Sequence, residues 1–253
     1  MRSLRLLASI LLVGLAAATS AAAEPRLALV IGNSSYQFAR PLNNPVRDAN
    51  SMSSALRGAG FDVTAATNLN RAEMSRVVRD FSARVAQQGS RAVALVYYTG
   101  HAVQVDGRSF LMPVDAKVQT EADVAREGVL LSDVVQTVSD RNGALRITIV
   151  DASRSNPFPS SGFSKRGLAI VNGPVNSLVA YSTSPGSLAD EGSGPISPYT
   201  AALIKTIQER GLPIEEVFKR VRLTVNKATN GQQIPWETSS LTANFSFAPG
   251  TSR

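Results

Sequence analysis

Short apolar runs alternate along the chain with stretches whose apolar positions recur every third or fourth residue. That alternation predicts strands and amphipathic helices in turn, and so a mostly parallel sheet covered by helices. The first run, 27–31, ends at Gly32-Asn33 and reads as a strand. Residues 45–59 read as a helix stopped by Gly58 and Gly60, and 62–67 as the next strand. Asn70 is placed to cap a second helix, with Glu73 completing a capping box and Gly89 closing it. The stretch 92–98 is almost continuously apolar, as a central strand buried on both faces requires. Asp106-Gly107, between 103–105 and 109–111, predicts a tight hairpin. Ser132 reads as the cap of a short helix running to Asp140, and 145–150 as another buried strand.

From 153 to 173 serine, proline, glycine and Lys165-Arg166 dominate, the composition of a long exposed loop. Loops of that length are usually functional or mobile. Strand character returns at 178–181, followed by helices over 199–209 and 214–229 and a last expected strand within 241–247. There are no internal repeats and no long low-complexity segment.

Composition narrows this picture. The first residues carry a positive start (Arg2, Arg5), an apolar stretch over 6–18 and Ala21-Ala22-Ala23 before Glu24. This is the pattern of a secretory signal peptide, 1–23, so a single mature domain over 24–253 is expected in the periplasm or outside the cell. No later apolar run approaches the ~18 residues a spanning helix needs, so no stable membrane insertion is expected after cleavage. The formal net charge is +7 and the pI about 10.1. However, the basic residues are dispersed, with no run longer than Lys165-Arg166 or Lys219-Arg220. Nucleic-acid binding calls for a clustered patch, and is not expected. The chain has no cysteine and one histidine. Disulfides, thiolate metal sites and a cysteine nucleophile are thereby excluded, and neither a zinc site nor a cofactor is expected.

Two strand ends carry the candidate chemistry. Tyr97-Tyr98-Thr99-Gly100-His101 places the only histidine just beyond a central strand, and Ile149-Val150-Asp151-Ala152-Ser153-Arg154 places a hydroxyl just beyond another. Open α/β sheets bind ligands outside the carboxyl ends of their strands. Histidine suits proton transfer near neutral pH, and beside a hydroxyl it would make a base–nucleophile pair. A lone histidine at a strand end is equally compatible with a purely structural role. Gly32-Asn33-Ser34-Ser35 is not the Gly-x-Gly-x-x-Gly fingerprint of dinucleotide binding.

Several ordered motifs resemble the caspase/metacaspase peptidases. Tyr97 to His101 is similar to the segment in which Ser-Gly-His presents their general base, and Asp151-Ala152-Ser153-Arg154-Ser155-Asn156-Pro157-Phe158 to the bacterial segment around their nucleophilic cysteine. The histidine precedes position 153 by about 50 residues, the caspase spacing. Further matches are Leu27 to Asn33, Pro41-Leu42-Asn43-Asn44 with Asp48-Ala49, Gly186 to Asp190, Ser197-Pro198-Tyr199 and Gln233-Ile234-Pro235-Trp236. The resemblance runs over about 26–247. It implies a caspase-like three-layer α/β sandwich, with a large-subunit-like part over about 26–153, a loop over 154–176 and a small-subunit-like part over about 177–247.

The same resemblance implies roles. His101 would be the general base, with the backbone N–H groups of Ala102 and Ser153 forming an oxyanion hole; the family usually has glycine where Ala102 stands. Asp48 and Asp151 match the acidic residues that line the Arg/Lys pocket of metacaspases, and Asp190 is a further substrate-binding candidate. A peptide or protein bearing basic residues is the partner this implies. Serine at 153 takes the place of the cysteine, and a hydroxyl needs far more activation than a thiol. The expectation is therefore an impaired peptidase acting in binding or regulation, with an active Ser153–His101 serine-type enzyme as the alternative. Lys165-Arg166 is a possible processing site or an ordinary exposed pair.

Overall fold

The computed structural model describes residues 24–137, 144–152, 157–158 and 167–250. In chain order β1 (Arg26–Gly32), α1 (Pro45–Gly58), β2 (Asp62–Thr67), α2 (Arg71–Gln87) and β3 (Val93–Thr99) alternate. Next come β4 (Ala102–Val105), β5 (Arg108–Leu111), α3 (Glu121–Glu127), β6 (Val129–Leu130) and α4 (Leu131–Thr137). The second half holds β7 (Leu145–Asp151), β8 (Ser177–Tyr181), α5 (Pro198–Thr206), α6 (Ile214–Ala228) and β9 (Trp236–Ser239). The main sheet has six strands in the order β2-β1-β3-β7-β8-β9. All its pairings are parallel except β8–β9. Strands β4, β5 and β6 form a small antiparallel sheet of their own.

Every residue of β3 and β7 is buried, because the sheet has a core on each face. Val93, Leu95 and Tyr97 pack with Ile147 and Ile149 and with the apolar residues of α1, α5 and α6. Their alternating neighbours Ala94, Val96 and Tyr98 pack with Met74 and Phe81 of α2. The result is a three-layer α/β sandwich, and a continuous apolar run is what two-sided burial demands. Local signals act as their chemistry requires. The Asn70 side chain accepts from Glu73 N at 2.9 Å while Glu73 Oε2 accepts from Asn70 N at 3.0 Å, a complete capping box. Asp106 (φ 49°) and Gly107 (φ 71°) both take the left-handed conformation a two-residue hairpin turn needs.

Three sequence expectations are corrected. Ser132 caps no helix: α4 begins at Leu131, directly after β6, so Ser132 lies inside it, and the expected end at Asp140 falls outside the described residues. The segment 241–247 forms no strand; β9 takes the sheet edge instead. Phe245 and Phe247 are buried in the core. The Arg26 guanidinium takes their neighbourhood in hand, donating to the carbonyls of Ser246 and Phe247 and lying 5.0 Å from the Phe245 ring. Finally, the stretch after Ala152 is not simply exposed. Phe158 packs with Tyr36, Val103 and Phe110, and Leu168 joins the α2-side core. Among the described residues, no helix is long and apolar enough to cross a membrane.

Three phenols are held protonated by this packing. Burial raises Tyr97 and Tyr199 well above the ordinary tyrosine range, with the charge of Asp151 adding to each. Burial raises Tyr181 to about 12, although its oxygen accepts from Val171 N at 2.8 Å. A raised folded value means stability complete below the unfolded tyrosine value of 10.0 and lost as pH climbs through the folded one. For Tyr181 alone this amounts to about 2–3 kcal/mol. Urea midpoints should therefore hold steady up to about pH 10 and fall steeply towards pH 12. A flat profile over that window would contradict buried, protonated phenols.

Candidate active site

Strands β3 and β7 are parallel neighbours with Thr99 opposite Asp151, so they end side by side. Strand β1 ends with them, Gly32 lying opposite Thr99. This carboxyl edge is where sheets of this kind bind ligands. His101 follows two residues after Thr99, and position 153 follows two residues after Asp151. Ser153 itself lies outside the described residues, as does Lys165-Arg166.

His101 is 2% exposed and its setting is built from both ends of the chain's first half. Its ring packs against Tyr36 at a centroid distance of 4.5 Å. Its backbone N–H donates to the Tyr36 hydroxyl at 2.7 Å, and its carbonyl accepts from Tyr98 Oη at 2.7 Å and from Met112 N at 3.0 Å. Nε2 lies 2.8 Å from the Arg40 carbonyl. A carbonyl only accepts, so Nε2 carries the proton and Nδ1 holds the lone pair of the neutral ring. Sequence reading missed Tyr36 and Arg40, since a hydrogen bond to a loop carbonyl leaves no side-chain signature. Ala102 opens β4 opposite Leu111. Because Met112 N donates to His101 O, the neighbouring pair Ala102–Leu111 is a non-hydrogen-bonded one, and the Ala102 N–H faces away from β5.

The two carboxylates read from the sequence are brought together. Asp48 sits in the first turn of α1, which begins at Pro45. The end of β1 approaches that turn so closely that a Cβ on Gly32 would lie 2.5 Å from the Pro45 carbonyl oxygen. Asp151 ends β7. Both are 0% exposed. Asp48 Oδ1 accepts from Ser197 N at 2.8 Å, and Asp151 Oδ2 accepts from the Ser197 hydroxyl and from Thr200 Oγ1 at 3.0 Å. Asp151 Oδ1 is buried and, among the described residues, receives no hydrogen bond. Ser197 is the N-cap of α5, and Pro198 at the first helical position marks that start in the sequence. Its bridging of two carboxylates was not legible there.

Asp190 stands apart from the pair. It is exposed, accepts from Gly192 N at 3.2 Å, and lines a cavity of about 670 Å³ together with Arg40, Glu191, Ile196, Pro198 and Gln233. Asp48 and Asp151 do not line that cavity. Glu191 Oε1 accepts from Asn43 N (2.9 Å) and Asn44 N (3.1 Å), tying the cavity wall to the start of α1. Among the described residues, no cluster of three or more His, Asp or Glu is placed to hold a metal ion.

The family model of the caspase domain, peptidase family C14, matches residues 25–246. The chain belongs to the caspase-domain family. This caspase domain is 26% identical over 132 residues to mucosa-associated lymphoid tissue lymphoma translocation protein 1 of Homo sapiens, and 27% identical to its Mus musculus homolog. Each match covers 52% of this chain but 15% of the relative, so the matched part is a small share of those proteins. Caspase-1 from Spodoptera frugiperda shares the fold, with a TM-score of 0.66 and 18% identity over 91% of this chain and 92% of that one.

Proposed function

We propose that this caspase domain receives an arginine or lysine side chain at Asp48 and Asp151 and, with Ser153 in the position of the family's cysteine, binds basic peptides far better than it cleaves them. The observation that carries the reading is the buried carboxylate pair at the ends of α1's first turn and β7. A buried carboxylate oxygen without a donor is costly, and Asp151 Oδ1 is one. A guanidinium or ammonium group supplies both the missing donor and the opposite charge.

In this reading His101 Nδ1 would take the nucleophile's proton, and the N–H groups of Ala102 and residue 153 would receive the developing oxyanion. The Arg40 carbonyl fixes the imidazole's tautomer but brings no negative charge to stabilise the imidazolium. Serine proteases obtain that from a carboxylate. Without that charge stabilisation a hydroxyl is activated slowly. A second reading, an active serine-type endopeptidase, is favoured by the same hydrogen bond, because Arg40 presents Nδ1 as the acceptor.

Titration calorimetry with agmatine and incubation with arginyl and lysyl peptide reporters test both. Agmatine should bind, and Asp48→Asn and Asp151→Asn should each weaken it by about tenfold or more while the circular dichroism stays native. Reporter turnover should stay at the buffer baseline. Binding that survives both substitutions would overturn the pocket. Turnover lost in both Ser153→Ala and His101→Ala would establish the serine-type enzyme instead.

A further inference from the structure

We infer that Ser197 is the positioning residue that sets the geometry of the Asp48–Asp151 pair, and through it the preference for a guanidinium over an ammonium side chain. This rests on the pocket reading above. The two carboxylates come from elements far apart in the chain, and Ser197 touches both: its N–H donates to Asp48 Oδ1 and its hydroxyl to Asp151 Oδ2.

The hydroxyl's role is fixed by its neighbours. Ser197 Oγ accepts from Thr200 N at 3.0 Å, so its one proton is left for Asp151. Thr200 Oγ1 also donates to Asp151 Oδ2, and Tyr97 Oη, 2.6 Å from Thr200 Oγ1, therefore donates in turn. Oδ2 is thus held by two hydroxyls while Oδ1 receives none. The carboxylate is oriented, with one oxygen reserved.

Ser197 also stands at a boundary. It is 0% exposed, whereas Ile196 and Pro198 on either side of it line the 670 Å³ cavity. Ser197 therefore links the buried pair to the rim of the open cavity. A guanidinium is a planar fork whose hydrogen bonds need acceptor oxygens at set positions, while an ammonium is a compact point charge that tolerates displacement. Loosening the pair should hence cost the guanidinium more.

The test compares agmatine with cadaverine by titration calorimetry on the intact chain. Ser197→Ala should weaken agmatine by about tenfold and cadaverine by less than about threefold. Ser197→Thr should restore both affinity and selectivity. Ser197→Asn keeps a good helix cap without the hydroxyl, and should behave as Ser197→Ala does even if the alanine variant folds poorly. Agmatine and cadaverine weakened equally, or binding abolished by Asp151→Asn yet unchanged in both Ser197→Ala and Ser197→Asn, would overturn the inference alone. Failure of the wild-type chain to bind either amine would overturn the pocket reading and this inference with it.

Discussion

Replacing Ser153 with cysteine is expected to raise turnover of arginyl and lysyl reporters by about three powers of ten or more over the wild-type chain. The reasoning starts from the strand register. Thr99 and Asp151 are paired, so the chain leaves β3 towards His101 and β7 towards residue 153 from adjacent points on one edge. The imidazole is already oriented by Tyr36 and by the Arg40 carbonyl. What the wild type lacks in this reading is an easily ionised nucleophile. A thiol is a few per cent thiolate at neutrality and needs no third charged member. Adding His101→Ala to the cysteine variant should then remove about 10²–10⁴ of the gain, the worth of a positioned base. Steady-state rates with an arginyl reporter, alongside active-site titration by a thiol reagent, provide the measurement. A cysteine variant that still binds agmatine but turns nothing over would mean that the strand ends do not assemble a peptidase centre.

The sheet was legible because burial on two faces leaves a one-dimensional trace. Residues 92–98 are apolar without alternation, and 145–150 are rich in β-branched residues with only Arg146 and Thr148 interrupting; they became β3 and β7 within one residue at each end. The capping box at Asn70 and the Asp106-Gly107 turn were legible because they are closed within four residues of chain. Segments governed by distant partners were not. The alternating apolar residues of 241–247 mimic a strand, yet their carbonyls are claimed by Arg26 from the other end of the chain. Helix α3 is short and largely charged, and gave no period to read.

The candidate site divides along the same line. His101 stood out by residue type and by its place beyond a strand end, whereas Asp48 and Asp151 were read from the resemblance to the metacaspase pocket, and the fold gathers those two into one buried pair. Ser197 was read only as part of the motif Ser197-Pro198-Tyr199, and its donation to both carboxylates depends on α5 being laid against α1 and β7. Tyr36 and Arg40 lie in the segment between β1 and α1, where no periodic pattern advertises them. Asp190 was read from the family-like motif Gly186 to Asp190, and the structure leaves it exposed at the cavity wall rather than buried with the pair.

Gly100→Ala is the second large effect expected, and it tests how residue 101 is held. Gly100 has φ 154°, outside the range that residues with a Cβ favour. A Cβ there would lie 2.6 Å from Tyr36 Oη and 2.8 Å from Tyr98 Oη. Those two hydroxyls are the ones that bond the backbone N–H and carbonyl of His101, so the clash falls on the residue's own supports. Overpacking of this kind costs about 1–3 kcal/mol, and a weakened buried hydrogen bond about 1–3 more. The melting temperature should drop by roughly 4–24 °C. In the Ser153→Cys background, turnover should fall by about 10², because displacing the imidazole and the Ala102 N–H by an ångström spoils both at once. Gly89→Ala is the control: its φ of 75° is also unfavourable for alanine, but nothing lies within 4 Å of its Cβ. It should therefore lose about 1–2 kcal/mol of stability and none of the turnover. A Gly100→Ala protein that melts and reacts as the control does would show that the tyrosine hydroxyls yield freely, and that His101 is held in place by something other than Tyr36 and Tyr98.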